Sequence, residues 1–127
     1  MADKKKITTQ QAPAAIGPYS QAININNTIY LSGQIPFDPA SMTLVNQDFA
    51  SEVKQVFQNI RTVAQAAGGD LQHIAKLTIY LTDLADFAEL NEIMQQTFVE
   101  PYPARTTIQV SALPKGARVE IDAIMVI

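Results

Sequence analysis

Few side chains in this sequence are equipped for chemistry, and the most useful of them is Arg105. It is one of three arginines in 127 residues and follows Tyr102-Pro103-Ala104, where a proline-rich connection enters a β-prone run. No carboxylate neighbours it in sequence. A guanidinium so placed presents a planar fork that can grip a carboxylate through two hydrogen bonds, fixing orientation as well as adding affinity. The competing reading is a structural arginine paired with a distant acid such as Glu120. Glu120 shares its parity with Arg118 and Asp122, a row that by pattern is a solvated face before it is a catalytic one. Tyr19, in Gly17-Pro18-Tyr19-Ser20, reads as a loop anchor or as an acid or base. Ser32-Gly33 offers a hydroxyl and an approachable backbone N–H, or simply ends a strand. Asn91 interrupts an apolar helical stripe, as a cap-like or buried hydrogen-bonding residue does.

Cysteine is absent, which removes disulfides, thiolate nucleophiles and thiolate zinc sites together. The one histidine, His73, follows Gly68-Gly69-Asp70 and is read as capping or ending a short turn. A Ser-His-Asp arrangement would have to use it, and no Gly-x-Ser-x-Gly elbow is present. Neither a dinucleotide loop nor a Walker phosphate loop occurs. No metal and no organic cofactor is therefore expected. A net charge of −3 argues against a nucleic-acid partner or an anionic membrane surface, both of which favour a basic face. The basic run Lys4-Lys5-Lys6 lies beside a start without the apolar segment of a signal peptide. No stretch nears the roughly 18 apolar residues of a membrane span. A soluble, cytoplasmic protein is expected.

Positioning these groups requires a framework. Hydrophobic residues make up 47% and charged residues 17%, a globular composition, and the length suits one domain. Residues 1–6 read as a flexible, solvated tail and residues 7–127 as the single domain. The segment 12–19 is a loop punctuated by two prolines and a glycine. Ile23 and Ile25 alternate with asparagines before a second β-prone run from Thr28 to Leu31. Asn26-Asn27 between the runs signals a tight hairpin. Gly33 and Pro36 end the second strand, and residues 37–46 are turn-rich. From about Asp48 to Ala67, the residues Phe49, Val53, Val56, Phe57, Ile60, Val63, Ala64 and Ala67 form one helical stripe, stopped by Gly68-Gly69. Residues 75–81 alternate as a strand, with Leu77, Ile79 and Leu81 on one face. Thr82 or Asp83 then caps a second helix whose inward residues are Leu84, Phe87, Leu90, Met94 and Phe98. Pro101 and Pro103 close it. Strands over 105–110 and 118–126, joined at Pro114-Lys115-Gly116, complete the order ββαβαββ.

That order is an α+β layer, a sheet against two helices. Two helices cover only one face of such a sheet. The other keeps Tyr30, Tyr80, Ile124 and Val126, too apolar to leave in water, so a homo-oligomer is expected on that ground.

Five segments taken together resemble the RidA (YjgF) family: Ala-Ile-Gly-Pro-Tyr-Ser-Gln-Ala (15–22), Leu-Ser-Gly-Gln-Ile-Pro (31–36), Asp-Phe-Ala-Glu-Leu-Asn (86–91), Pro-Ala-Arg-Thr-Thr (103–107) and Val-Glu-Ile-Asp-Ala (119–123). The resemblance runs from about residue 7 through the chain, in order and at fitting spacings. It implies a chorismate-mutase-like fold, a mixed sheet with two helices on one face. It also implies a homotrimer with sheets facing inward and sites in the clefts between subunits. The implied activity is cofactor-free hydrolysis of reactive 2-enamine and 2-imine acids, such as 2-aminoacrylate, to 2-keto acids and ammonia. Under the resemblance Arg105 binds the substrate carboxylate and Glu120 positions or activates the attacking water. Tyr19, Ser32, Gly33, Asn91 and Thr107 line the cleft. Thr107 stands where many members carry cysteine, so a hydroxyl replaces a thiol.

Three other readings use the same residues differently. A module that binds or senses 2-keto acids with little catalysis would keep Arg105 and have no rate to lose at Glu120. An endoribonuclease or translation inhibitor, an activity attributed to some relatives, sits poorly with the acidic charge and the lack of a basic aromatic surface. A chaperone working through exposed apolar faces would not depend on Arg105.

Overall fold

Asn26 and Asn27 adopt left-handed φ angles of 51° and 67° and turn the chain between β2 (Ala22–Ile25) and β3 (Thr28–Gln34). Asparagine enters that region more readily than most residues, and two such residues in succession match the twist of the flanking strands. This is the hairpin the sequence predicts. The structure, a computed structural model, describes residues 3–127. It starts the sheet earlier than expected, because β1 (Lys5–Ile7) pairs antiparallel with β2, Lys5 opposite Asn24. The expected tail over 1–6 is corrected to that extent; Met1 and Ala2 lie outside the described residues. The backbone of Lys5 and Lys6 bonds to the edge of β2 while both side chains stay exposed, and lysine is well suited to such an edge.

Helix α1 (Phe49–Ala66) begins where Asp48 accepts the Ser51 N–H at 2.7 Å, a bond that lowers the Asp48 pKa. It ends before Gly68, whose φ of 97° suits a residue without Cβ. Val53, Val56, Ile60, Val63 and Ala64 are wholly buried. Each valine and isoleucine among them contributes on the order of 1.5–3 kcal/mol, so packing rather than propensity holds the helix. Asn59, also buried, donates to Phe37 O at 2.9 Å and to Ile35 O at 3.3 Å, tying the turn-rich loop down. A single 3₁₀ turn, Leu71–His73, follows; His73 Nδ1 accepts the Asp70 N–H at 3.0 Å, the capping role expected of it.

Strand β4 (Ile74–Leu81) buries Leu77, Ile79 and Leu81 completely. Asp83 then caps a 3₁₀ turn, Leu84–Asp86, and α2 runs from Phe87 to Thr97. The expected inward set is corrected accordingly. Leu84 belongs to the turn and is exposed, whereas Ile93 joins Leu90 and Met94 in the core. The α2 crossover delivers β5 (Ala104–Gln109) parallel to β4, since parallel neighbours need a long connection. Strand β6 (Val119–Val126) inserts antiparallel between β3 and β4, giving the order β1-β2-β3-β6-β4-β5.

Helix α1 packs on the face that carries Val119, Ile121, Ala123 and Met125 of β6, and α2 lies beside it against α1. On the opposite face Tyr30, Ile108 and Val126 are exposed, and Tyr80 and Ile124 are half-buried. No helix among the described residues is long and apolar enough to cross a membrane.

Candidate active site

The residues singled out from the sequence fall into two clusters. The first surrounds Arg105. On β5, Arg105 lies opposite Leu77 and Thr107 opposite Ile79, so both project from the helix-covered side of the sheet. There the Arg105 guanidinium meets α2. It donates to Asn91 Oδ1 at 2.5 Å, touches Met94 Sδ at 3.4 Å and lies 5.0 Å from the Phe87 ring centroid. Phe87 supplies a cation–π platform and Asn91 fixes the rotation of the fork, while the side chain remains accessible. The ion pairs among the described residues are Arg61–Asp70 and Arg118–Glu52, so the structural Arg105–Glu120 pairing considered from sequence does not form within the chain. Next to this fork, Thr107 Oγ1 is buried and has no hydrogen-bond partner.

The second cluster surrounds Glu120. On β6 it lies opposite Tyr80, between the buried Val119 and Ile121, so it projects from the open face. It shares a groove with Tyr19, Ile16, Gly33, Pro114 and Lys115. Strand β3 carries an extra residue here, since Leu31 pairs with Ala123 but Gln34 with Ile121. This bulge at Ser32-Gly33 turns the glycine backbone toward the acid. A Cβ on Gly33 would run into the Glu120 carboxyl, with Cδ only 3.0 Å away, so glycine is needed for the close approach and not for its φ. Partial burial raises the Glu120 pKa above the ordinary carboxylate value, and the charge of Asp122 raises it further. Asp122 in turn accepts the Tyr80 hydroxyl at 3.0 Å, which pushes the Tyr80 pKa upward.

Two expectations change on inspection. Ser32 spends its donor on Ser20 O at 2.6 Å, while its N–H donates to Gln21 O at 3.0 Å. Its hydroxyl secures the loop that carries Tyr19, and the groove wall is supplied by Gly33 instead. Arg118 leaves the row it was expected to share with Glu120 and Asp122. It stands just before β6, where its side chain reaches the buried Glu52 of α1. The bulge, the Phe87 platform and the Lys115 wall escaped the sequence reading. Only the Ser-Gly pair at the strand end hinted at the first of these.

Residues 9–127 match the family model described as Endoribonuclease L-PSP. Among curated relatives, the 2-iminobutanoate/2-iminopropanoate deaminase of Bos taurus is 50% identical over 123 residues, covering 97% of this chain and 90% of that protein. Protein DfrA of Myxococcus xanthus is 50% identical over 125 residues, covering 97% of this chain and 95% of that protein. The crystal structure of RidA from the Antarctic bacterium Psychrobacter sp. PAMC 21119 superposes with a TM-score of 0.94 at 50% identity, covering 97% of this chain and 99% of that one.

Proposed function

Because this chain belongs to the RidA (YjgF) family, we propose that it hydrolyses reactive 2-imino and 2-enamino acids to 2-keto acids and ammonia. The observation that carries the reading is the Arg105 fork, oriented by Asn91 and Phe87 yet without a carboxylate partner among the described residues. A substrate carboxylate fits that vacancy bidentately. The orphan Thr107 hydroxyl beside it offers the bound acid a further hydrogen bond.

The chemistry asks little more of the protein. An imine carbon is already electrophilic, and an enamine becomes an imine once a proton reaches its terminal carbon. Glu120 takes a proton from water as the oxygen adds to C2, then returns it to nitrogen. The carbinolamine hydroxyl then loses its proton, one proton passes to the amino group, and ammonia leaves as the carbonyl forms. A raised pKa suits a carboxylate that both accepts and returns a proton. Orientation of the reactants can be worth about 7–11 kcal/mol at its limit, and a placed acid or base typically gives ~10²–10⁴-fold. No step requires a metal or an organic cofactor.

The two clusters are completed by a second copy of the chain. The open sheet face, with Tyr30, Ile108 and Val126 exposed, supports association face to face. We read the assembly as a cytoplasmic, chorismate-mutase-like homotrimer in which the Arg105 cluster of one subunit meets the Glu120 groove of the next.

The test couples this protein to a serine or threonine dehydratase that releases 2-aminoacrylate or 2-aminocrotonate, and follows keto-acid formation. Wild type is expected to accelerate it and Arg105→Ala to abolish the acceleration. Full imine hydrolysis by purified Arg105→Ala would refute the assignment. Undiminished 2-keto acid binding with no rate enhancement by wild type would favour a sensing module.

A further inference from the structure

Glu52 is fully buried within α1, and nothing in the reaction outlined above uses it. Its partners all belong to Arg118. Glu52 Oε1 accepts the Arg118 backbone N–H at 2.9 Å, and Oε2 accepts the Arg118 Nε–H. The rest of Arg118 is engaged as well. Its carbonyl accepts the Thr82 N–H at 3.2 Å from the end of β4, and its Nη2 donates to Asn46 O at 3.4 Å. Contacts from α1, the end of β4 and the preceding loop thus converge on one residue at the mouth of β6.

That residue lies two positions before Glu120 and two after Gly116. On one side is a turn held in left-handed conformations at Lys115 (φ 61°) and Gly116 (φ 76°), which forms a wall of the Glu120 groove. On the other is the strand that lays the Glu120 carboxyl against Gly33. The groups facing Glu120 are Asp122 on its own strand, Tyr80 on β4, and Tyr19 and Lys115 in the groove wall. Gly33 presents only backbone from β3. None of these ties the entry of β6 to α1 by a hydrogen bond; among the described residues the buried Glu52 carboxylate does, beside the apolar packing of Val119.

We propose that Glu52 is a positioning residue for the deamination: by capturing the Arg118 backbone N–H it fixes the start of β6, and with it the placement of Glu120 on Gly33. The inference rests on the catalytic reading of Glu120. The operative contact is the backbone bond, and the ion pair to the side chain serves stability.

Two substitutions at Glu52 separate these parts. Glu52→Gln keeps an acceptor for the Arg118 N–H and gives up the charge; Glu52→Leu keeps the volume and gives up both. Per folded molecule, Glu52→Gln should retain kcat within about 3-fold, whereas Glu52→Leu should lose roughly 10-fold or more with KM within about 2-fold. The acid limb of the kcat/KM profile should also move to lower pH in Glu52→Leu, as Glu120 gains access to water. A purely structural role would lower the melting temperature of both variants and leave the limb in place. Wild-type kcat and pH profile in folded Glu52→Leu would overturn the proposal, as would equal losses in the two variants that merely track the folded fraction. Should Glu52→Leu not fold, Arg118→Met leaves the backbone bond intact. It must then keep kcat within about 3-fold and the acid limb unmoved while its melting temperature falls, and a kcat loss of tenfold or more overturns the proposal. Loss of activity in Glu120→Gln tests the catalytic reading separately, so the two failures are distinguishable.

Discussion

Arg105 and Glu120 project from opposite faces of one sheet, with β4 running between their strands. A single small substrate cannot touch both within one chain, so the proposed site needs two copies. Arg105→Ala and Glu120→Gln are each expected to be inactive alone. Unfolded together and refolded as a mixture, they should regain roughly a quarter of the wild-type rate, because random assembly places an intact Arg105 half beside an intact Glu120 half about that often. Zero recovery in correctly assembled mixed oligomers would show that both residues act from the same subunit.

Glu120 gives the pH dependence its sign. Its pKa is raised by burial and then by Asp122, so the ionised form, which in the proposed mechanism accepts the proton from water, is lost as pH falls through a value above 4.5, the ordinary value for this carboxyl. Asp122→Asn removes the second cause and leaves the first. The acid limb of kcat/KM should therefore move to lower pH without reaching that of an unperturbed carboxylate, as a pH–rate series will show.

The same shift has a thermodynamic counterpart. A carboxyl whose folded pKa exceeds its unfolded value favours the fold below the unfolded pKa and loses that contribution as pH rises through the folded one. Ionised Glu120 is thus a liability at neutral pH. Glu120→Gln should raise the melting temperature at pH 7 relative to wild type, and the difference should shrink at pH 4 and below. An equal difference at both pH values would locate its origin elsewhere.

Gly33 tests the closeness of the acid to the backbone. Gly33→Ala places a methyl group against the Glu120 carboxyl, while its backbone angles suit any residue. The long Glu120 side chain can swing aside, so folding should survive. Under the proposed mechanism deamination is expected to fall about 10-fold or more in kcat, since the carboxylate is displaced from the position assigned to it for activating water.

Thr107 carries a buried hydroxyl with no partner among the described residues. Thr107→Val keeps the shape and removes the unsatisfied group, so the free protein should gain about 1 kcal/mol, read as a higher melting temperature. If the hydroxyl serves the substrate, KM should rise in the same variant. A stabilised protein with unchanged KM would make Thr107 a packing residue only.

Much of this architecture was legible because it rests on local chemistry. The Asn26-Asn27 hairpin, the α1 stripe, the His73 turn and the alternation of β4 each follow from neighbours in sequence. What escaped depends on contacts distant in sequence. Parity put Arg118 in a solvated row, but its capture by Glu52, 66 residues away, takes it out of that row. The apolar pattern of α2 continues back to Leu84 because it does not distinguish a 3₁₀ turn from a first helical turn. The segment motifs single out Arg105 and Glu120 together. Their separation by the sheet appears only once the parallel register of β5 against β4 is known.

Strand β6 has a consequence for biosynthesis. It is the last strand along the chain yet occupies the middle of the sheet, bonded to β3 on one side and β4 on the other. Until it emerges from the ribosome, the β1-β2-β3 meander and the β4-β5 unit share no strand pairing, and each presents an unpaired edge. Nascent chains stalled before Val119 should consequently be targets for chaperones and proteases, while emergence of β6 closes the sheet and creates the Glu120 groove in the same event.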